Sequence, residues 1–220
     1  MAYNIRYFIP YRRQSGGYTY IHILEKDTSS GTYQTLQADG NPLEITFSGD
    51  VNNLYCGTVG SGADINLRVD PLTLTNLFTT DPQKYMVKIY NGGTLMWQGF
   101  ISTGIYSEEL NNHKNQFISL KANDGMAVLD MIPYRPDSSS YYTGSTYIGN
   151  VFNNIFGKLN LSFDNAWGLM DYRVINYSDN PFLYLGVNQE NYVDESGKAM
   201  TCREVLDSIM KSFGLRMSFR

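Results

Sequence analysis

Along the first half of the chain apolar residues recur at every second position, the period of β-strands with one or both faces covered. The runs NIRYFIPYR and YTYIHILEK flank Gln14-Ser15-Gly16-Gly17, a turn-like spacer. In the second run Tyr20, His22 and Leu24 face one way and Ile21, Ile23 and Glu25 the other. Neither face is wholly polar, which predicts a strand covered on both sides or lying at an interface. QADGN predicts a turn before the strand PLEITFSG, and ADINLRVD alternates cleanly as a half-buried strand does. LTLTNLFTTDPQ predicts a short turn or 3₁₀ piece. YMVKIYNGGTLMWQGFIS, residues 85–102, predicts a hairpin. Tyr85, Val87 and Ile89 share a face, Asn91-Gly92-Gly93 tolerates positive φ, and Leu95, Trp97, Gly99 and Ile101 line the return strand. QFISLKA adds a third strand, with Ile118, Leu120 and Ala122 in register, after a polar connection over 111–115.

At Asp124 the period changes. Asp124 is placed to cap a short helix carrying Met126, Val128 and Leu129, Gly125 eases the turn, and Pro133 ends the helix. RPDSSSYYTGS is the most loop-like stretch. Ile148, Val151, Phe152, Ile155 and Phe156 then fall at helical spacing, started by Ser145 or Thr146 and stopped near Gly157. YRVINYSDN reads as extended chain and 176–199 as irregular, Asn-rich chain. TCREVLDSIMKSFG carries the strongest local signal. Thr201 and Glu204 have capping-box spacing, Val205, Leu206, Ile209, Met210 and Phe213 form the stripe, and Gly214 stands where a C-cap belongs. LRMSFR reads as a strand, and a capped helix leading into it suggests that a longer polypeptide or a partner continues the fold. The pattern predicts an α+β fold, predominantly β. An antiparallel barrel or sandwich is expected over 1–132, a linker or exposed loop over 133–145, and a smaller helix-containing α+β domain, incomplete at its C-terminus, over 146–220.

Composition agrees: 20 Gly, 18 Tyr and 11 Phe stand against 17 Lys plus Arg, which favours strands and turns over disorder. With a net charge of −4 and basic residues scattered, RYFIPYRR being the densest cluster, no sequence-specific nucleic-acid binding is expected. Cys56 and Cys202 predict neither a thiolate metal set nor a disulfide. The N-terminus lacks the apolar core of a signal peptide, and no stretch approaches the length of a membrane span.

Catalytic chemistry finds little support. His22 and His113 are the two histidines, and neither lies near a G-x-S-x-G elbow. CGTVGSG, residues 56–62, lacks the Lys-Ser/Thr of a phosphate loop and reads as a flexible turn. Glu108 and Glu109 with Asp124 would be the acids of a glycosidase-like cleft, but consecutive glutamates usually point different ways. DSSSYYTGS and DNAWGLMD lack the spacing of a calcium loop. No catalytic residue, cofactor or metal ligand is assigned. Aromatic residues crowd the second half, Tyr172, Tyr177, Phe182 and Tyr192 among them, and Tyr141, Tyr142, Trp167 and Tyr184 are the candidate interface residues.

MVKIYNGGTLMWQGFIS followed by ISLKANDGMAVLDMIPY resembles the N-terminal part of tail-hub or baseplate-hub proteins of tailed bacteriophages, especially Bacteroidetes-phage forms. The matching residues are Val87, Ile89, Gly93, Trp97, Gly99 and Ile101, then Ile118, Leu120, Ala122, Asp124, Gly125, Met126 and Leu129. A later helix of the family is matched by Val205, Leu206, Ile209, Phe213, Gly214 and Leu215. The resemblance implies a noncatalytic virion protein, made in the host bacterial cytoplasm and placed at the tail tip. There it would form a trimeric or hexameric ring with itself and other tail proteins, joining tube to spike or fibres, without a membrane and with a channel for DNA passage. The early chain end also fits a fragment, a small subunit or a distal-tail ring protein. A carbohydrate-binding β-module using exposed aromatics is the alternative reading, and a tail-associated glycan hydrolase a weaker one.

Overall fold

The computed structural model describes residues 2–13, 16–29, 31–48, 57–69, 74, 77, 79–103, 116–161 and 181–218. It is a mixed α+β fold, predominantly β, built on an open, curled half-barrel with a small helical region. Strands Tyr3–Arg12 (β1) and Tyr18–Lys26 (β2) form a hairpin, closed by a turn in which Gly16 takes φ +92°. The short strand Gln34–Thr35 (β3) lies parallel to β1. Strand Gln37–Ser48 (β4) pairs antiparallel with Thr58–Val69 (β5). The hairpin read from the sequence forms from Tyr85–Asn91 (β6) and Thr94–Ile101 (β7). Its two-residue turn holds Gly92 at φ +57° and Gly93 at φ +92°, the positive-φ pair that a tight hairpin requires. Gln116–Asn123 (β8) pairs with both β7 and β5. From β4 the sheet therefore runs through β5, β8, β7, β6 and β2 to β1 and β3. Its curl returns β1 to the side of β4, with no hydrogen-bonded ladder joining the two among the described residues.

Alternation sorts the two faces. Ile9, Ile21, Ile23, Ile65, Leu67, Val87, Ile89, Trp97, Ile118 and Leu120 fill the concave side. On the convex side Leu24, Met86 and Phe100 join a second core with the helices. β2 thus has one face buried in the concave core, while on its convex face Leu24 packs against the helical core and Tyr20 and His22 stay half-buried. The helices are Gly125–Leu129 (α1), Ile148–Phe156 (α2) and Cys202–Ser212 (α3). α3 buries Val205, Leu206, Ile209 and Met210, each contributing roughly 1.5–3 kcal/mol by leaving water. Gly214, at φ +63°, turns the chain after α3 while Leu215 N–H bonds the Met210 carbonyl. Met217–Ser218 (β11) then pairs parallel with the start of β5.

Three local expectations are corrected. CGTVGSG was expected to be a flexible turn, yet from Thr58 onward it is the buried start of β5. Its small residues let neighbours approach: a Cβ on Gly60 would lie 3.2 Å from Ser48 Oγ, and one on Gly62 3.5 Å from the Ala122 carbonyl. The expected turn at QADGN is a bulge inside β4, where the register with β5 shifts between Ala38 and Leu43. Neither Ser145 nor Thr146 caps α2. Ser145–Tyr147 (β9) pairs instead with Gly186–Asn188 (β10), Tyr147 holds the N-cap position, and the Leu185 carbonyl accepts from Ile148 N–H at 2.9 Å. A backbone carbonyl from the neighbouring segment takes the place of a capping side chain.

Candidate functional site

The two motifs of residues 85–102 and 116–134 meet in one buried joint. Asp124 is the N-cap of α1: its Oδ1 accepts from Met126 N–H at 3.0 Å. Its Oδ2 accepts both the backbone N–H of Ser61, at 2.6 Å, and the Ser61 hydroxyl, at 2.8 Å. The same hydroxyl accepts the indole N–H of Trp97 at 3.0 Å. Asp124 N–H in turn bonds the Ser61 carbonyl at 2.9 Å. Burial pushes the Asp124 carboxyl above the ordinary carboxylate range, against the pull of the Ser61 and Met126 hydrogen bonds and of the Arg203 charge. Gly99 completes the joint by having no side chain. A Cβ there would lie 2.3 Å from the Asn123 carbonyl oxygen and 2.5 Å from the Trp97 ring.

Both Asp124 oxygens are occupied by donors, and the carboxyl is 1% exposed. This arrangement braces three strands and a helix: three donors fill most of the carboxyl's acceptor sites, and burial keeps the group from solvent. Val87, Ile89, Ile118 and Leu120 pack in the concave core around Trp97, while Gly125, Leu129, Leu206 and Ile209 are buried in the helical region and Phe213 packs at its rim. Thr201 and Glu204 make the reciprocal capping box: Thr201 Oγ1 accepts from Glu204 N–H at 3.2 Å and Glu204 Oε2 from Thr201 N–H at 2.7 Å. Cys202 is buried, and burial pushes its thiol up to about 11, leaving it protonated and unreactive. No group of three or more metal-ligating side chains exists among the described residues. Cys56, Glu108, Glu109, His113, the 111–115 connection, Trp167, Tyr172, Tyr177 and the YRVINYSDN segment lie outside the described residues.

The candidate interface tyrosines have different settings. Tyr141 is exposed and donates its hydroxyl to the Gly197 carbonyl at 2.6 Å. Tyr142 is half-buried against Tyr134, ring centroids 4.7 Å apart. Tyr184 is 57% exposed, next to exposed Leu183 and Leu185.

A second aromatic group, on the convex face of the sheet, escaped the sequence reading. Tyr20 stacks on Tyr90 at 5.2 Å and on His22 at 5.3 Å, Phe8 lies 5.5 Å from His22, and Tyr33 meets Phe8 edge-on. Strand register makes the cluster, since Tyr20 faces Tyr90 and His22 faces Phe8. Burial among these rings, and then the neighbouring Lys88 charge, lower the His22 pKa below its usual value. The signal was present in the even-numbered residues of β2, but it needed the pairing of β2 with β1 and β6.

No protein-family model matches the chain, and no curated protein matches it. Among solved structures, the 43 kDa tail protein of prophage MuSo2 from Shewanella oneidensis shows a weak, partial similarity. The identity is 13% and the TM-score 0.40, over 80% of this chain and 51% of that one. The chain spans about half the length of that tail protein.

Proposed function

We propose that this chain is a noncatalytic structural component of a bacteriophage tail tip or baseplate ring, connecting the tail tube to spike or fibre proteins. One observation carries the reading: Trp97, Gly99 and Asp124, which mark the ordered resemblance to tail-hub proteins, are the residues that lock β5, β7 and α1 into a single joint. On this reading the β-rich part, 1–132, and the helix-containing part, 146–220, are two working units of a protomer that assembles with itself, as a trimer or hexamer, and with other tail proteins. Exposed Tyr184, Leu183 and Tyr141 supply apolar contact surface of the kind that interfaces use.

Deleting the gene from the phage that encodes this chain tests the proposal. Capsids with absent or unfinished tails are expected, with rescue by the gene supplied in trans. Complete, infectious particles without it would overturn the reading.

A further inference from the structure

The half-barrel is open between β1 and β4, and the opening is a cleft of about 590 Å³ lined by Tyr11, Arg12, Arg13, Pro42, Leu43 and Ile45, among others. Three properties of this seam point to one occupant. First, Tyr11, Leu43 and Ile45 pack on the concave core but are only partly buried, so the core is incompletely covered there. Second, among the described residues β4 pairs only with β5, and its outer edge over 43–48 has no partner strand. An unpaired edge of that length presents N–H and C=O groups to an incoming chain. The opposite wall, β1, is paired on that side only at Tyr7 and Phe8. Third, Arg12 and Arg13 line the cleft and enter no ion pair among the described residues, the Arg13 guanidinium meeting only the weak acceptor Met96 Sδ at 3.5 Å. The acid on the neighbouring bulge, Asp39, is already held by Arg68 at 2.6 Å.

We propose that this seam binds an extended, acidic segment of a protein partner, which adds a strand to the β4 edge. Its carboxylates would meet Arg12 and Arg13, and its alternate apolar side chains would cover Tyr11, Leu43 and Ile45. Pro10 favours β4 over β1 as the pairing edge, because proline has no N–H to give. The inference stands apart from the tail assignment, since it rests on the seam alone.

The probe is an acetylated, amidated octapeptide of alternating valine and glutamate, with the valine–lysine octapeptide as control. Fluorescence anisotropy should show saturable binding of the acidic peptide, at least about tenfold tighter than the basic one. The double variant R12E/R13E should weaken the acidic peptide at least about tenfold and leave the circular dichroism spectrum and melting temperature unchanged. Hydrogen exchange should slow at amides within 43–48 when the acidic peptide is bound. Equal affinity for both peptides, no binding of either, or binding without protection of the β4 edge would each overturn the proposal. If the double variant unfolds, Ile45→Lys replaces it: weaker binding is expected, and unchanged binding would also overturn the proposal.

Discussion

The indole N–H of Trp97 ends on the hydroxyl of Ser61, 3.0 Å away, and that hydroxyl gives its own proton to Asp124. The serine satisfies both partners at once, accepting from one and donating to the other. A tryptophan from the β6–β7 hairpin and an acid from the β8–α1 turn are thereby fixed to Ser61, the fourth residue of β5. The run of small residues around Ser61 serves as the socket for both motifs.

Ser61→Ala removes the acceptor of the indole and one of the Asp124 donors inside the core. Orphaning a buried donor costs about 1–3 kcal/mol. The urea midpoint should fall accordingly with the slope unchanged; an unaltered midpoint would show that the joint bears no load.

Gly99→Ala should be more damaging than its single methyl suggests. The methyl meets the Asn123 carbonyl and the Trp97 ring, and the carbonyl belongs to backbone that pairs with β7. A loss of at least about 2 kcal/mol is expected, in the range of core overpacking. Trp97→Ala, which empties the same slot, should cost about 3–5 kcal/mol. Thermal unfolding of the two variants checks the pair.

His22 gives the fold a pH dependence of known sign. Its pKa is lower folded than unfolded, so as pH falls the unfolded chain takes up the proton first. The stability contributed by the neutral ring is complete above the unfolded value of 6.5 and is lost as pH falls through the lower folded value. His22→Phe keeps an aromatic ring and removes the titration. Between about pH 7 and about pH 5 the wild type should therefore lose melting temperature relative to that variant. Parallel curves would contradict the burial of His22 among its rings.

Thr201→Ala breaks the capping box of α3 and should cost about 1 kcal/mol. Thr201→Ser, which keeps the hydroxyl, should cost clearly less. Chemical denaturation of both variants separates the cap from mere side-chain volume.

Much of this architecture was legible because it is local. Asn91-Gly92-Gly93 fixes its hairpin by backbone conformation, and Thr201 and Glu204 cap their helix from three residues apart. Trp97 and Gly99 could be read as anchor and gap on their own strand. Ser61 could not, because its importance depends on partners 36 and 63 residues away. Without them GTVGSG has the composition of a turn. The convex aromatic cluster was hidden for the same reason, since Tyr20, Tyr90, His22 and Phe8 become neighbours only through strand register. The Leu185 carbonyl that replaces an α2 cap is backbone, and no residue type announces it.

The proposed role is tested most directly by its place in a particle. A gold-labelled antibody raised against this chain, applied to phage particles induced from the organism that carries its gene and imaged by electron microscopy, should mark the tail tip. Label confined to the capsid, or virions free of label while the protein is abundant in the soluble lysate, would contradict it.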